Sequence, residues 1–518
     1  MTRLMNTTGR AWQSSAERWS KPPLGLALAL VVAALLRFWA LGQGIPFSVG
    51  PDEPEVMERA VRMMKTGDLN PHFFDYPALY MYVQAAVAAF RFMVGDVQGR
   101  WSSLAQAPTE AFYLWGRGVT ALLGTGTVWV LYRAGLRWGG RTALLAAVLL
   151  AVMPLHVRES HYTLTDVPMT LFVVLTLLLS LRARERQTMW AFAAAGAAAG
   201  LAGAMKYNGV IAVLMPLFAS LMMPSAWRVR ARAAALTLAA MGAAFLLAAP
   251  YTFLDLPNFL NQFARLSSEY RTPSSAGDRM GLSYLKHLRI ALGLPASLLA
   301  IAGLAIGLAR IIRGPDRLKW TVAIAFPVAY FRFISNQTIV YGRYLLPIIP
   351  FLSLLAAIAT VCAVTWLRER SMPRRVQNAA ILGIVLAAVA IPAYTAMSWD
   401  SDAARSWTSQ LAYEWIRREV PAGAAIRLEG SLAIKLPAYR TTYAKQLRFD
   451  DPATYARSGI QYLVASSQCY GPYLADPQRY SEEYRDYQRI FSETDEIARF
   501  TPSPDHPGPE LRVLKVKP

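Results

Sequence analysis

Charge is scarce in this chain: 17% of its 518 residues are charged and 54% are hydrophobic. A soluble protein of this length carries about a quarter charged residues. Cysteine is almost missing. Cys362 lies in an apolar run and Cys469 near the C-terminus, so neither a disulfide framework nor a thiolate metal site is expected. A cleavable leader is not expected either. The apolar stretch 22–41 is too long for a signal-peptide core, and Phe38 and Trp39 stand where small residues would be needed. It reads as a retained first span. No repeat of 20–50 residues and no inverted hydropathy symmetry is evident. These absences exclude a disordered chain, a disulfide scaffold and an ordinary cytosolic enzyme. The pattern that remains is that of a polytopic membrane protein.

The formal net charge of +20 is unevenly placed, because residues 400–518 hold 16 Lys+Arg and 16 Asp+Glu. The whole excess therefore sits in the hydrophobic part, which points to membrane topology and anionic lipid rather than nucleic acid. Arginine outnumbers lysine 44 to 9, the usage of a GC-rich bacterial genome, so a bacterial plasma membrane is the expected location. Apolar runs near bilayer length lie at 22–41, 113–135, 141–157, 167–183, 189–205, 209–224, 233–250, 288–310, 319–335, 344–366 and 377–398. They predict about eleven crossings.

Six short basic connectors, among them Arg133/Arg137/Arg141 and Arg368/Arg370/Arg374/Arg375, share one side only if the run 77–95 does not cross. That run is accordingly expected to be re-entrant or interfacial. The N-terminus is then cytoplasmic, and most carboxylates of the membrane part face outward. The expected division is a transmembrane domain, 1–399, and a small soluble α+β domain, 400–518, on the outer side. In the latter, helices are predicted near 404–419 and 479–490, with strands near 424–428, 460–466, 496–500 and 511–516.

Polar residues that could carry chemistry gather in the outer loops. The first loop reads GPDEPEVMERAVRMMKTGD, with Pro54 opening a helix and Gly67 closing it. Met57, Ala60, Val61 and Met64 keep a helical apolar face. Asp52 and Glu53 precede that helix, with prolines at 51 and 54. Glu53 is accounted for equally well by the positive helix end, whereas Asp52 is the stronger functional candidate. Farther on, His72 and Asp75 in NPHFFDYPALY offer a weak metal-ligand pattern. In HVRESHYTLTDVPMT, Asp166 before Val167-Pro168 fits a helix cap, and Arg158, Glu159 and His161 fit interfacial polar residues. Lys206 and Tyr207 occupy a short outer turn, and Arg343 lies in GRYLLPIIP. Singly, Lys206, Arg343, Arg117 and Arg332 read as snorkelling or structural bases. Together they ring one outer cavity with Asp52 and Asp166, as an anion site would require.

In this order of segments the sequence resembles the GT-C glycosyltransferases, in the branch of protein O-mannosyltransferases and aminoarabinose transferases. The matching parts are the Asp52-Glu53 pair after the first span, the DYP segment, TDVPMT with Asp166, Lys206-Tyr207 and GRYLLPIIP, covering about residues 20–366. The resemblance implies inverting transfer of a sugar from a polyprenyl-phosphate donor to a protein, lipid or polysaccharide acceptor at the outer face. It implies Asp52 as catalytic base, with Glu53 and Asp166 as the other acids of the site. It places Lys206, Arg343, Arg158, Arg117 and Tyr207 around the donor phosphate. A divalent metal stays open, with Asp52, Asp166 and His72 as candidate ligands. A lipid phosphate leaves readily, so the paired acid and base of a glycoside hydrolase are not required. One carboxylate and a set of cations suffice. A transporter, flippase or non-catalytic binder of lipid-linked sugars is the competing reading. A transporter would want charges at the bilayer midplane and broken helices in repeated halves, whereas here the spans are clean in their middles.

Overall fold

The computed structural model describes residues 24–45, 50, 52–270, 280–430 and 436–517. The N-terminal basic cluster (Arg3, Arg10, Arg18 and Lys21) and the Pro51 flank of Asp52 lie outside the described residues. The chain folds as two compact units. The first comprises the chain up to Trp39, Val56–Gln106 and Trp115–Trp399, and the second comprises Ala40–Glu55, Ala107–Leu114 and Asp400–Pro518.

Unit 1 is helical. Among the described residues, five helical runs are long and apolar enough to cross a membrane. They are Asp166–Arg186, Trp227–Ala248, Leu294–Arg313, Gly342–Arg368 and Arg374–Glu419, the last of which breaks after Ala403 and resumes at Thr408. Leu24–Phe38, Gly140–Ala151, Met189–Met205 and Tyr207–Leu221 are apolar but shorter. These five answer to five of the eleven expected spans, and where other runs are shorter as helices the reasons are local. The run 141–157 is cut at Val152-Met153, where Pro154 starts a separate helix, Pro154–Glu159. The run 209–224 begins as a 3₁₀ turn, Tyr207–Val213, before Leu214–Leu221 continues it.

Small residues let two of these helices touch backbone to backbone. A Cβ added at Gly196 or Gly200, on Met189–Met205, would collide with the carbonyl oxygens of Thr237 and Met241 on Trp227–Ala248. This is the small-xxx-small packing of membrane helices, which lack a hydrophobic drive toward each other. The helix Glu53–Thr66 follows its predicted span, with Val56, Met57, Ala60 and Val61 fully buried. Gly67 ends it at φ +73°, a conformation that costs glycine little.

Two ends of unit 1 can be told apart by contacts. Arg137 pairs with Glu185, Arg184 with Asp316, and Trp138 packs on Trp320, so residues 137–141, 184–186 and 316–320 share one basic end. Asp166, Lys206 and Tyr344 meet at the other.

Unit 2 carries a five-stranded sheet in the order β2-β1-β3-β5-β4. The strands are β1 (Ala425–Glu429), β2 (Arg440–Ala444), β3 (Tyr462–Ser466), β4 (Asp495–Phe500) and β5 (Leu511–Lys515). β1 runs parallel to β2 and β3, while β5 is antiparallel to β3 and β4. Alternation buries both faces. Ile426, Leu428, Val464 and Val513 pack with Ile416 of the helix Thr408–Glu419. Leu463, Ala465 and Leu514 pack with Tyr487 and Ile490 of the helix Ser481–Glu493. Glu429 ends β1 fully buried. It accepts hydrogen bonds from the amides of Leu447 and Ser466, both at 2.8 Å, and from the Tyr487 hydroxyl at 2.5 Å. Burial still pushes its carboxyl above the usual range.

Candidate functional site

Asp166 is the first residue of its helix, not the cap that the sequence suggested. Thr165 precedes it in helical conformation without a side-chain cap. The carboxylate of Asp166 is instead taken by Lys206, whose Nζ stands 2.7 Å from Oδ1. The helix Met189–Met205 delivers this lysine because Lys206 turns extended, at φ −155° and ψ 133°, before the 3₁₀ turn begins. Both side chains are largely out of solvent, Asp166 at 3% and Lys206 at 12% exposed. The helix N-terminus adds its own favourable field to the carboxylate.

A tyrosine joins this pair to a second cation. The Lys206 Nζ lies 4.8 Å from the centroid of the Tyr344 ring, and Arg343 Cζ lies 5.9 Å from the same centroid. Arg343 also stands 5.1 Å over Tyr341. The 3₁₀ turn Gly342–Ile348 presents Arg343 and Tyr344 side by side in sequence. The Tyr344 hydroxyl is 2.5 Å from that of Tyr270, which follows the helix Leu256–Glu269. A cation over an aromatic face is attracted by the ring's negative face.

Two further arginines extend the group. Arg158 bonds Glu159 at 2.6 Å, and its charge is felt by Arg343 and Tyr162. Burial works against the Arg158 guanidinium, but Glu159 outweighs it and leaves the group above its ordinary range. Arg117, 1% exposed, faces the Tyr162 ring at 5.8 Å. Lys206 and Arg343 thus share the Tyr344 ring and Arg117 faces Tyr162, with Arg158 near enough to both groups to act on them electrostatically.

The other expected residues fall elsewhere. Tyr207 donates its hydroxyl to the Phe74 carbonyl at 3.0 Å and packs its ring on Phe259 and Phe263. It therefore holds the 72–76 segment in place. Arg265 Nη2 donates to both carboxylate oxygens of Asp75, at 2.8 and 3.0 Å. His72, exposed and at φ +50°, has Nε2 2.9 Å from Asp68. Asp52 and Glu53 belong to unit 2. Glu53 is fully buried and accepts the Gly50 amide at 2.7 Å, so it fixes the turn that carries Asp52. Among the described residues no three His, Cys, Asp or Glu side chains gather as metal ligands. Of the candidate ligands, Asp166 is held by Lys206 and His72 by Asp68.

The family model for dolichyl-phosphate-mannose-protein mannosyltransferases matches residues 28–264. Oligosaccharyltransferase AglB from Archaeoglobus fulgidus, solved with an inhibitory peptide and a dolichol-phosphate, superposes with a TM-score of 0.60 at 13% identity, over 88% of this chain and 70% of that one. ArnT from Cupriavidus metallidurans, solved with undecaprenyl phosphate, superposes at 0.58 and 18% identity, over 95% and 97% of the two chains. The chain shares the fold of these two structures. No curated protein sequence matches it.

Within this fold, several residues around the site were not found by sequence reasoning. Tyr344, Tyr270 and Tyr162 frame the cations, yet tyrosine in an apolar run carries no distinctive signal. Arg37 was legible in principle, as an arginine inside the first apolar run. It is fully buried and donates to the carbonyls of Ala33 and Ala151 at 2.9 Å and Leu150 at 3.1 Å, while its Nη2 lies 3.0 Å from His156 Nδ1. It thereby satisfies the carbonyl end of Gly140–Ala151, which would otherwise stay unpaired in an apolar setting. His161, read as interfacial, is buried, with carbonyls of Val157 and Trp39 at 2.9 and 2.8 Å from its ring nitrogens. Burial pushes its imidazole down to about 4.

Proposed function

We propose that the chain is an integral-membrane inverting glycosyltransferase that moves a sugar from a polyprenyl-phosphate donor to an acceptor hydroxyl or amine at the outer face. One observation carries this reading: Lys206 and Arg343 converge on a single tyrosine ring in a GT-C fold. The lipid phosphates bound to AglB and ArnT support the donor class, and the peptide bound to AglB makes a peptide the first acceptor to test.

In the proposed step the acceptor oxygen attacks C1 of the sugar as the bond from C1 to the phosphate oxygen breaks. Asp52 takes the acceptor's proton. The polyprenyl phosphate leaves as an anion, with Lys206 and Arg343 opposite its new charge and Arg158 and Arg117 behind them. Asp166 holds Lys206 in place at 2.7 Å. One displacement inverts the anomeric centre. The reading includes eleven crossings, a cytoplasmic N-terminus and an outer C-terminal domain, with Leu79–Val97 lying in the outer region.

The test uses the full chain in vesicles with a polyprenyl-phosphate-linked sugar and a peptide acceptor. Asp52→Asn should lower transfer by about 10²–10⁴ while polyprenyl phosphate binding persists. Arg343→Ala should weaken that binding. Transfer by Asp52→Asn within a few-fold of the parent would remove Asp52 as base, and unchanged lipid-phosphate binding by Arg343→Ala would remove the phosphate site.

A further inference from the structure

The basic end of unit 1 holds a second feature, unconnected with sugar transfer. Helices Gly140–Ala151, Ile349–Arg368 and Arg374–Ala403 leave a groove of about 440 Å³ between them. Leu145, Val361, Val364 and Val385 are among its walls. Thr360 and Thr365 line it as well, but their hydroxyls donate to the carbonyls of Ala356 and Val361 in their own helix, at 2.8 and 2.9 Å. The interior therefore has little to offer a water molecule, which needs two to four polar partners. At its rim stand Arg141, Arg368 and Glu369, all exposed. Among the described residues neither arginine makes an ion pair, with Glu369 or with any other acid.

An apolar trough with two unneutralised guanidinium groups at its mouth has the polarity of a lipid: a chain below and an anion above. The surroundings agree. Arg370 stacks 4.4 Å over Trp366, which is 45% exposed, an arrangement suited to the membrane–water boundary. Arg374 and Arg375 begin the helix that forms the third wall, and only 17% of that helix's apolar window is buried, so the groove opens toward lipid. A volume of this size suits one small ligand or one chain segment, and is too small for a helix of another protein. Charge selects further: a zwitterionic lipid fills the trough but leaves the arginines uncompensated, whereas an anionic one does both.

We propose that this groove binds one anionic glycerophospholipid, its phosphate between Arg141 and Arg368 and one acyl chain along Val361, Val364 and Val385. Basic pockets between membrane helices take anionic headgroups for this reason.

Native mass spectrometry of the full chain in detergent tests the site. Phosphatidylglycerol, phosphatidylcholine with the same chains, and free glycerol phosphate serve as probes. The parent should retain one phosphatidylglycerol at least 10-fold more tightly than phosphatidylcholine, and glycerol phosphate should not displace it. Arg141→Gln with Arg368→Gln should weaken phosphatidylglycerol by roughly 30-fold, the effect of two surface arginines, and leave phosphatidylcholine unchanged. Val364→Trp, which fills the trough and keeps both charges, should weaken both lipids; Val361→Phe is the alternative if that variant does not fold. Equal retention of the two lipids by the parent would overturn the proposal. So would undiminished phosphatidylglycerol on the double arginine variant, or displacement by glycerol phosphate, which would mean a free-phosphate site.

Discussion

The two ends of unit 1 use the same kinds of ion pair in opposite surroundings. At the site end Lys206 meets Asp166 at 2.7 Å, and at the basic end Arg137 meets Glu185 at 2.9 Å. Length does not separate them. The acids do: Asp166 and Glu159 are 3% and 5% exposed, while Glu185 and Asp316 are 42% and 48% exposed. Water screens the acids of the basic end, so its pairs hold little energy. At the site end the same charges sit among tyrosine rings and apolar side chains, where each interaction is stronger and each loss is costlier.

This contrast can be broken at several levels. The sharpest is sidedness, which is all or none. Gly140 is exposed, and a side chain there meets nothing within 4 Å, so Gly140→Cys in a background lacking Cys362 and Cys469 should react with a membrane-impermeant thiol reagent from the cytoplasmic side only. Labelling from outside would reverse the proposed orientation. Turnover comes next. Lys206→Met should lower transfer by about 10²–10³, the effect of removing one stabilising donor, whereas Arg137→Gln should leave it within two-fold.

Stability is the third level. Lys206→Met strands the Asp166 carboxylate in a nearly dry site and should cost about 3–5 kcal/mol. Arg137→Gln should cost about 0.2–1 kcal/mol in the same unfolding measurement. Lys206→Met combined with Asp166→Leu should be milder than Lys206→Met alone, because no unpaired charge remains. Equal costs for Lys206→Met and Arg137→Gln would erase the distinction. Salt gives the smallest effect. At 1 M the screening length falls to about 3 Å, so the cost of Arg137→Gln should vanish while that of Lys206→Met persists.

Sequence reading went furthest where the signal is periodic or punctuated. The helix Glu53–Thr66 was legible from Pro54, Gly67 and its apolar stripe, and β1, β3, β4 and β5 from short apolar runs between turns. β2, RTTYA, escaped because only Ala444 of its five residues is buried, which leaves no alternation to detect. The helix Ser467–Ala475 escaped because Gly471 and Pro472 interrupt it. In the candidate site, residue types were legible and partnerships were not. Asp166 and Lys206 are 40 positions apart, and nothing local says that one will neutralise the other. The capping role assigned to Asp166 failed for that reason: a nearby chain end explained the carboxylate until a distant lysine explained it better. Helix length was the other failure. Hydropathy averages across Val152-Met153 and across the 3₁₀ turn at Tyr207, whereas the backbone stops there.

The contact of Gly196 and Gly200 with the carbonyls of Thr237 and Met241 has a mechanical consequence. Two helices locked backbone to backbone have no side-chain layer to shear, so they respond to load as one rod. Lys206 follows the end of that rod directly. Pulled from the bilayer by a cantilever attached at the C-terminus, Met189–Met205 and Trp227–Ala248 should come out in one rupture event whose contour length spans both. Gly200→Val, which forces the rod apart, should split that event in two and lower the rupture force.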